Sequence, residues 1–145
     1  MRVLRLVTRV FGLVAAAIVS AAPAHAAVYD GSTPMRCTIQ TVMVCSDPSI
    51  CVRGTAQTVS LPSVLAVDVE HRLVSGDAAG RTVKITAVGR GGGRLMLHGE
   101  ELEMGGIAWN VVVVENSGLM TGAVLSHSGG FLLFGACSAA RASAP

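Results

Sequence analysis

The sequence predicts an all-β protein, a small antiparallel up-and-down β-barrel of about eight strands, with a two-sheet β-sandwich as the alternative. Short runs rich in Val, Leu and Phe alternate with Gly, Asn and Ser, most clearly between Ile107 and Cys137. No segment sustains the apolar periodicity of an amphipathic helix. The chain also has 4 cysteines, an even number typical of a disulfide-bonded exported domain.

The segment 1–26 is predicted to be a signal peptide that is removed after export. Three arginines near the start precede an apolar stretch at 11–19, which is too short to cross a bilayer. Ala24-His25-Ala26 then offers the small residues that cleavage requires. We therefore expect one mature domain at 27–145, in a bacterial periplasm or secreted, with no membrane anchor left after cleavage.

The positive charge of the whole chain belongs to this leader. The chain has 11 Lys and Arg against 9 Asp and Glu, and three of the arginines lie in the leader. Eight basic residues therefore accompany nine acidic ones in the mature domain, without a clustered basic face. We expect no nucleic-acid partner.

The four cysteines are expected to form the disulfides Cys45–Cys51 and Cys37–Cys137. A short, turn-rich loop separates Cys45 from Cys51. Cys37 opens the first predicted strand and Cys137 closes the last, and in a closed antiparallel barrel with an even strand number those two ends are neighbours. Thiolate coordination of a metal is the weaker alternative, because the sequence has no C-x-x-C pair.

The strands are expected to follow one another as a meander. They span residues 36–44, 64–69, 73–76, 81–88, 94–98, 107–114, 119–125 and 131–136. The strand at 81–88 alternates most regularly between apolar and polar residues. Outside these strands, we predict a flexible arm at 27–35, a flexible tail at 138–145 and a short edge strand at 57–61, before Pro62.

The interior of an eight-stranded barrel is either filled by side chains or holds one small ligand. The side chains expected to point inward are bulky enough to fill it, and they are Leu65, Val67, Val83, Ile85, Leu95, Leu97, Trp109 and Val111. A cavity left among them would be apolar, with Trp109 near its wall, and would suit a small apolar ligand.

The last three predicted strands are apolar on both faces, so their outer face is a candidate surface for a protein partner or a homodimer. The candidate residues of this ligand or partner surface are Trp109, Val112, Val114, Met120, Val124, Leu132 and Phe134. If Trp109 points inward, the other six are candidates for the outside. The alternative is that the segment 52–63 folds over this face and covers it.

One end of the predicted barrel carries a candidate metal site. His98 and His127 are expected at the same rim, where Glu100, Glu101 or Glu103 would add a carboxylate of the kind that zinc accepts. The spacing matches no known zinc motif, and solvated turn histidines are the simpler interpretation.

Other catalytic patterns are incomplete. No serine lies in a G-x-S-x-G motif. The glycine-rich stretch at 89–94 lacks the ending of a P-loop and precedes a strand, so a hairpin turn is the better interpretation. We therefore expect a non-catalytic binding or interaction protein that needs no cofactor.

An inhibitor of an extracytoplasmic hydrolase is the alternative function. Small periplasmic barrels that block lysozymes carry a Ser-Gly-x-x-Tyr type of loop. Ser75 and Gly76 match the first half of that loop, but Ala79 stands where the tyrosine is needed. The match covers two residues, so membership of that family is not inferred.

Overall fold

The computed structural model describes residues 28–47, 49–76, 81–102 and 105–140. As predicted, this part of the chain is almost entirely antiparallel β-structure. Its strands are β1 (Met35–Asp47), β2 (Ile50–Gly54), β3 (Val64–Asp68), β4 (Leu73–Gly76), β5 (Thr82–Lys84), β6 (Ala87–Gly91), β7 (Arg94–Glu101), β8 (Ile107–Val114), β9 (Leu119–Ser126) and β10 (Gly129–Ala139). The described residues form one short 3₁₀ helix, Ala56–Val59, and no helix long and apolar enough to cross a membrane. The leader and the end of the predicted tail lie outside the described residues.

The strands join into a single curled, barrel-like sheet, which agrees with the predicted barrel and differs from a two-sheet sandwich. The order across the sheet is β5-β4-β3-β1-β10-β9-β8-β7-β6, with β2 also paired to β1. The two ends of this path, β5 and β6, are consecutive in the chain and are separated only by Ile85 and Thr86. The first and last strands, β1 and β10, pair along most of their length.

The strand predicted at 81–88 is split in two. The N–H of Ile85 donates to the carbonyl of Arg72 at 2.9 Å, whereas the N–H of Thr86 donates to the carbonyl of His98 at 2.8 Å. Successive residues thus bond to neighbours on opposite sides of the chain. As a result β5 pairs with β4 and β6 pairs with β7, and the split segment connects the two ends of the curled sheet.

The segment between β1 and β3 also differs from the prediction. The expected edge strand at 57–61 is wrong, because this stretch holds the 3₁₀ helix. The N–H of Thr55 donates to the hydroxyl of Thr58 at 3.1 Å, and the N–H of Leu61 donates to the carbonyl of Ala56 at 2.9 Å. These local bonds satisfy the backbone without a partner strand.

The same segment does not cover the outer face of the last strands, which corrects that expectation. β2 pairs with the second half of β1, while β3 pairs with its first half. The 3₁₀ helix between them packs its Ala56 into the core. The segment therefore extends the sheet beside β1 instead of forming a layer over β8 to β10.

Both predicted disulfides are confirmed, Cys37–Cys137 and Cys45–Cys51. Each joins residues that lie directly opposite in an antiparallel pair, with Cα–Cα distances of 3.9 and 4.2 Å respectively. The first clips β1 to β10 over a sequence separation of 100. It lies at the end of the barrel where β1 begins, which we call the lower end. The second lies at the opposite, upper end.

The lower half of the barrel is a solid apolar core. The predicted inward side chains do point inward, and Ile85, Leu95 and Leu97 are among the most deeply buried in the described chain. Leu95, Val113 and Cys37 are fully buried there, and Met35 and Met120 are almost completely buried in the same core.

The segment 28–34, within the predicted flexible arm, lies against the lower end. The N–H of Tyr29 donates to the carbonyl of Glu115 at 2.8 Å, and the ring of Tyr29 packs against the core. Gly31 has a φ of +80°, and a Cβ placed there would lie 2.7 Å from Cγ2 of Val69 and 3.2 Å from Cδ2 of Leu95. The arm thus approaches the core so closely that a residue without a side chain is required.

Candidate ligand cavity

The upper half of the barrel is hollow. A cavity of about 390 Å³ opens at the upper end and extends down between the strands to Leu97, Val111, Met120 and Leu133. Its lining is predominantly apolar. The upper wall is formed by side chains from six segments of the chain, and these are Val44, Val59, Leu61, Leu65, Val83, Val124 and Phe131.

The wall of the cavity combines short valine side chains with leucine, phenylalanine and tryptophan. Only 3% of the residues in this chain are aromatic, and valine supplies much of the upper wall. In the lower half, by contrast, the disulfide Cys37–Cys137, Met35 and the segment 28–34 occupy the space between the strands, and Met120 lies at the boundary with the cavity. The predicted inward side chains therefore fill one half of the barrel and line a cavity in the other.

Trp109 forms part of the cavity wall, as expected for any cavity in this barrel. Its ring lies over Gly99 of β7, where a Cβ would meet the indole and would lie 2.6 Å from the carbonyl oxygen of Lys84. Gly99 therefore lets the indole lie flat where β5 and β7 approach each other. Nε1 of Trp109 is buried without a hydrogen-bond partner among the described residues, which costs about 1–3 kcal/mol.

The mouth of the cavity carries an ion pair between Arg81, just before β5, and Glu101, at the end of β7. The guanidinium of Arg81 donates through Nη2 to Oε2 of Glu101. Both residues line the cavity, and their side chains are 46% and 19% exposed. We call Arg81 and Glu101 the mouth pair.

The mouth pair was not identified from the sequence, although alternation could have found it. Val83 and Ile85 were predicted to point inward, so the same two-residue period places Arg81 on the inner face. Leu95 and Leu97 place Glu101 there in the same way. From the sequence, Glu101 is instead only one of three possible carboxylates of a metal site.

The candidate partner surface divides between the two faces of the sheet. Met120 and Val124 lie inside, because they pair directly with Val113 and Trp109, and opposite residues in an antiparallel pair share a face. Trp109 is buried on the inner face, as expected. The remaining members of the surface lie outside, and they are Val112, Val114, Leu132 and Phe134.

The candidate metal ligands do not form a cluster. His98 and Glu100 are exposed on the outer face of β7, whereas His127 lies in the turn between β9 and β10. Glu103 lies outside the described residues. Within the described ranges, no group of three or more His, Cys, Asp or Glu side chains is placed to hold a metal ion.

The glycine-rich stretch at 89–94 and the Ser75-Gly76 pair are also placed by the structure. Gly92 and Gly93 have φ values of +58° and +71° in the tight connection between β6 and β7, the predicted hairpin turn. Ser75 and Gly76 end β4, and Ala79 lies outside the described residues.

Comparisons with known proteins add no relative. No protein-family model matches the chain, and neither the comparison with curated proteins nor the comparison with solved structures yields a match.

Proposed function

We propose that this protein is an exported, non-catalytic binding protein that holds one small apolar ligand in the upper half of its barrel. The observation that supports this function is the cavity of about 390 Å³, which is open at one end and predominantly apolar. Ligand sites of proteins typically enclose about 300–1,000 Å³ and are lined mostly by hydrophobic side chains. Eight-stranded barrels with space inside commonly hold one small ligand.

The rest of the structure is consistent with a rigid container. Strands pair on both sides of β1, and a disulfide joins the two strands that bring the chain ends together. Pre-formed cavities bind with little cost of ordering the protein. The lower half therefore supplies a fixed floor for the cavity at Leu97 and Val111.

The proposed location is the periplasm or the exterior of the cell. The two disulfides indicate an oxidising compartment. We propose that the leader is cleaved after Ala26. Sequencing the N-terminus of the protein recovered from outside the cytoplasm would test this, and a chain that retained the leader would contradict it.

Binding can be measured with an uncharged naphthylamine dye whose fluorescence rises in apolar surroundings. Trp109 is the single tryptophan of the chain, so its emission reports on the cavity wall independently. We expect saturable dye fluorescence with about one dye per chain, and a matching change in Trp109 emission.

A matched pair of variants locates the dye. Val124→Phe places a ring in the cavity, whereas Ala123→Phe places the same ring on the outer face of β9. We expect the first to weaken dye binding at least about tenfold and the second to leave it unchanged, because only the first removes cavity volume. Equal binding by the two variants would contradict the proposed function.

A second candidate function is self-association or partner binding through the outer face of β8 to β10. Leu132 and Phe134 are 41% and 37% exposed, and Met96 on β7 is 43% exposed. The pairings Met96–Val112, Val112–Thr121 and Thr121–Phe134 form one continuous row across four strands. Sedimentation of the wild type and of Phe134→Ser would test this surface. A monomer at high concentration would argue against the homodimer.

A further inference from the structure

The cavity changes character from its floor to its mouth. Its deep wall is aliphatic, with Leu97 and Leu133 at the floor. At the upper end the lining becomes polar, with the mouth pair and Ser126. A molecule that fills this space would meet apolar groups along its body and hydrogen-bonding groups at its outer end.

Within the described ranges, the side chains that line the cavity carry no net charge. Among the described residues that line the cavity, Arg81 and Glu101 are the charged ones, and they are paired with each other. A charged headgroup seated here would lose hydration without gaining an unmatched counter-charge. An anion would meet the Glu101 carboxylate, and a cation would meet the Arg81 guanidinium.

The same pair can still bind an uncharged polar group. A guanidinium has five N–H donors, and the contact with Oε2 of Glu101 uses Nη2 of Arg81. Oε1 of Glu101 remains an acceptor. The mouth therefore offers both a donor and an acceptor to a hydroxyl or an amide, which itself both donates and accepts.

We propose that the ligand is a small amphiphile with an uncharged, hydrogen-bonding headgroup, held with its apolar body in the cavity and its head at the mouth pair. This inference rests on the proposed function, since it names the ligand class of the same cavity. The neutrality of the mouth is the feature that selects the headgroup, and it depends on Arg81 and Glu101 neutralising each other.

The test compares three ligands that share one apolar chain, namely decanol, decanoate and decylamine. The affinity of each ligand is measured at neutral pH by its displacement of the uncharged dye, from the wild type and from variants of the mouth pair. Decanol is the internal reference, so each result is a ratio of affinities within one variant. The ratio removes differences in stability or cavity shape that affect all three ligands equally.

Glu101→Gln leaves the charge of Arg81 unpaired at the mouth. We expect the affinity for decanoate to rise at least about tenfold relative to that for decanol, because a charge-assisted hydrogen bond contributes about that much to binding. Arg81→Met leaves Glu101 unpaired, and decylamine should gain similarly. The double reversal Arg81→Glu with Glu101→Arg restores a neutral pair and should return both ratios to the wild-type values. Two exposed residues that do not line the cavity supply controls, Glu100→Gln and Arg53→Met, which should leave both ratios unchanged.

The outcomes separate this inference from the proposed function. If the dye binds the wild type but the mouth variants leave both ratios unchanged, the head does not lie at the mouth pair and the inference is overturned. If the wild type binds no dye, the proposed function fails first. Circular dichroism identifies a variant that does not fold, and the other single substitution of the mouth pair then supplies the test.

Discussion

The two ends of this barrel are made from the same strands but differ in what fills them. At the lower end, Leu95 and Val113 are fully buried, and the segment 28–34 closes the barrel. At the upper end, the same sheet surrounds a cavity whose mouth carries a paired arginine and glutamate. The contrast suggests a division of labour, because a close-packed half stabilises the fold and leaves the other half free to bind.

The disulfides provide the largest expected contrast between the two ends. Cys37–Cys137 has a sequence separation of 100 and lies in the solid half, whereas Cys45–Cys51 has a separation of 6 and lies beside the cavity mouth. In the chain-entropy model, loss of the long link costs about 4–5 kcal/mol and loss of the short one about 2 kcal/mol. Urea denaturation of Cys37→Ala with Cys137→Ala, against Cys45→Ser with Cys51→Ser, measures both.

Equal losses from the two double variants would show that the lower end is not the main source of stability. The dye titration adds a second readout, because Cys45 lines the cavity and Cys37 does not. We expect the upper double variant to alter dye affinity more than the lower one, once both are compared under conditions in which they are folded.

Two valines of the inner face test the packing difference directly. Val113 is fully buried in the lower half, whereas Val124 lines the cavity. Val113→Ala should cost about 2–3 kcal/mol, since it removes buried methyl groups and leaves a new void. Val124→Ala only enlarges an existing space and should cost about 1 kcal/mol or less. Similar losses in urea denaturation would mean that the upper half is packed as well as the lower.

Two glycines test whether the segment 28–34 closes the lower end. Gly31 and Gly105 both have positive φ values, +80° and +88°, but only Gly31 has neighbours within reach of a Cβ. Gly105→Ala should cost about 1 kcal/mol for backbone strain alone, while Gly31→Ala should cost about 2 kcal/mol because the methyl group also meets Val69. If both variants melt at the same temperature, the arm does not pack tightly on the core.

The sequence predicted the features that depend on periodicity and on pairing. Alternation placed Leu95, Leu97 and Val111 inside, and the position of Cys37 and Cys137 at the two ends of the strand order identified their disulfide. These predictions succeeded because residue type and spacing determine which face of a strand a side chain occupies.

The predictions that failed concern which strands pair, in which register, and how side chains pack between them. Met120 and Val124 lie inside because β9 pairs with β8 in a register that the sequence does not specify. The break at Ile85 arises where the chain changes neighbours, although its alternation continues without interruption. The cavity was also not predictable, because it depends on how completely side chains from strands far apart in the sequence fill the space between them. Periodicity along one strand carries no information about that packing.

The smallest expected effect concerns a pair of turn residues at the lower end. The Nδ1 atom of His71 lies 2.8 Å from Oδ2 of Asp68, and its backbone N–H donates to Oδ1 at 3.0 Å. Hydrogen bonds from the backbone and the ring of His71 lower the pKa of Asp68, and the hydrogen bond to Asp68 raises the pKa of His71. Both charged forms are therefore favoured in the folded turn.

These shifts predict a bell-shaped dependence of stability on pH. Because the pKa of His71 is raised in the fold, its protonated ring stabilises the folded state fully at pH values below the ordinary histidine pKa. This stabilisation is lost as pH rises through the folded pKa of His71. Because the pKa of Asp68 is lowered in the fold, its carboxylate stabilises the folded state fully at pH values above the ordinary aspartate pKa. This stabilisation is lost as pH falls through the folded pKa of Asp68. The pair should thus contribute most between about pH 4 and 6.5.

Thermal melts across this range should show a small difference between the wild type and His71→Asn that disappears in alkaline solution. His127→Asn is the matched control, since His127 is an exposed turn histidine at the upper, opposite end. A difference for His71→Asn that persisted at high pH would assign the effect to the turn backbone instead of the charge pair. The ion pair would then make no measurable contribution to stability, which is common for exposed ion pairs. The stability of the lower end would come from its packing and its disulfide alone.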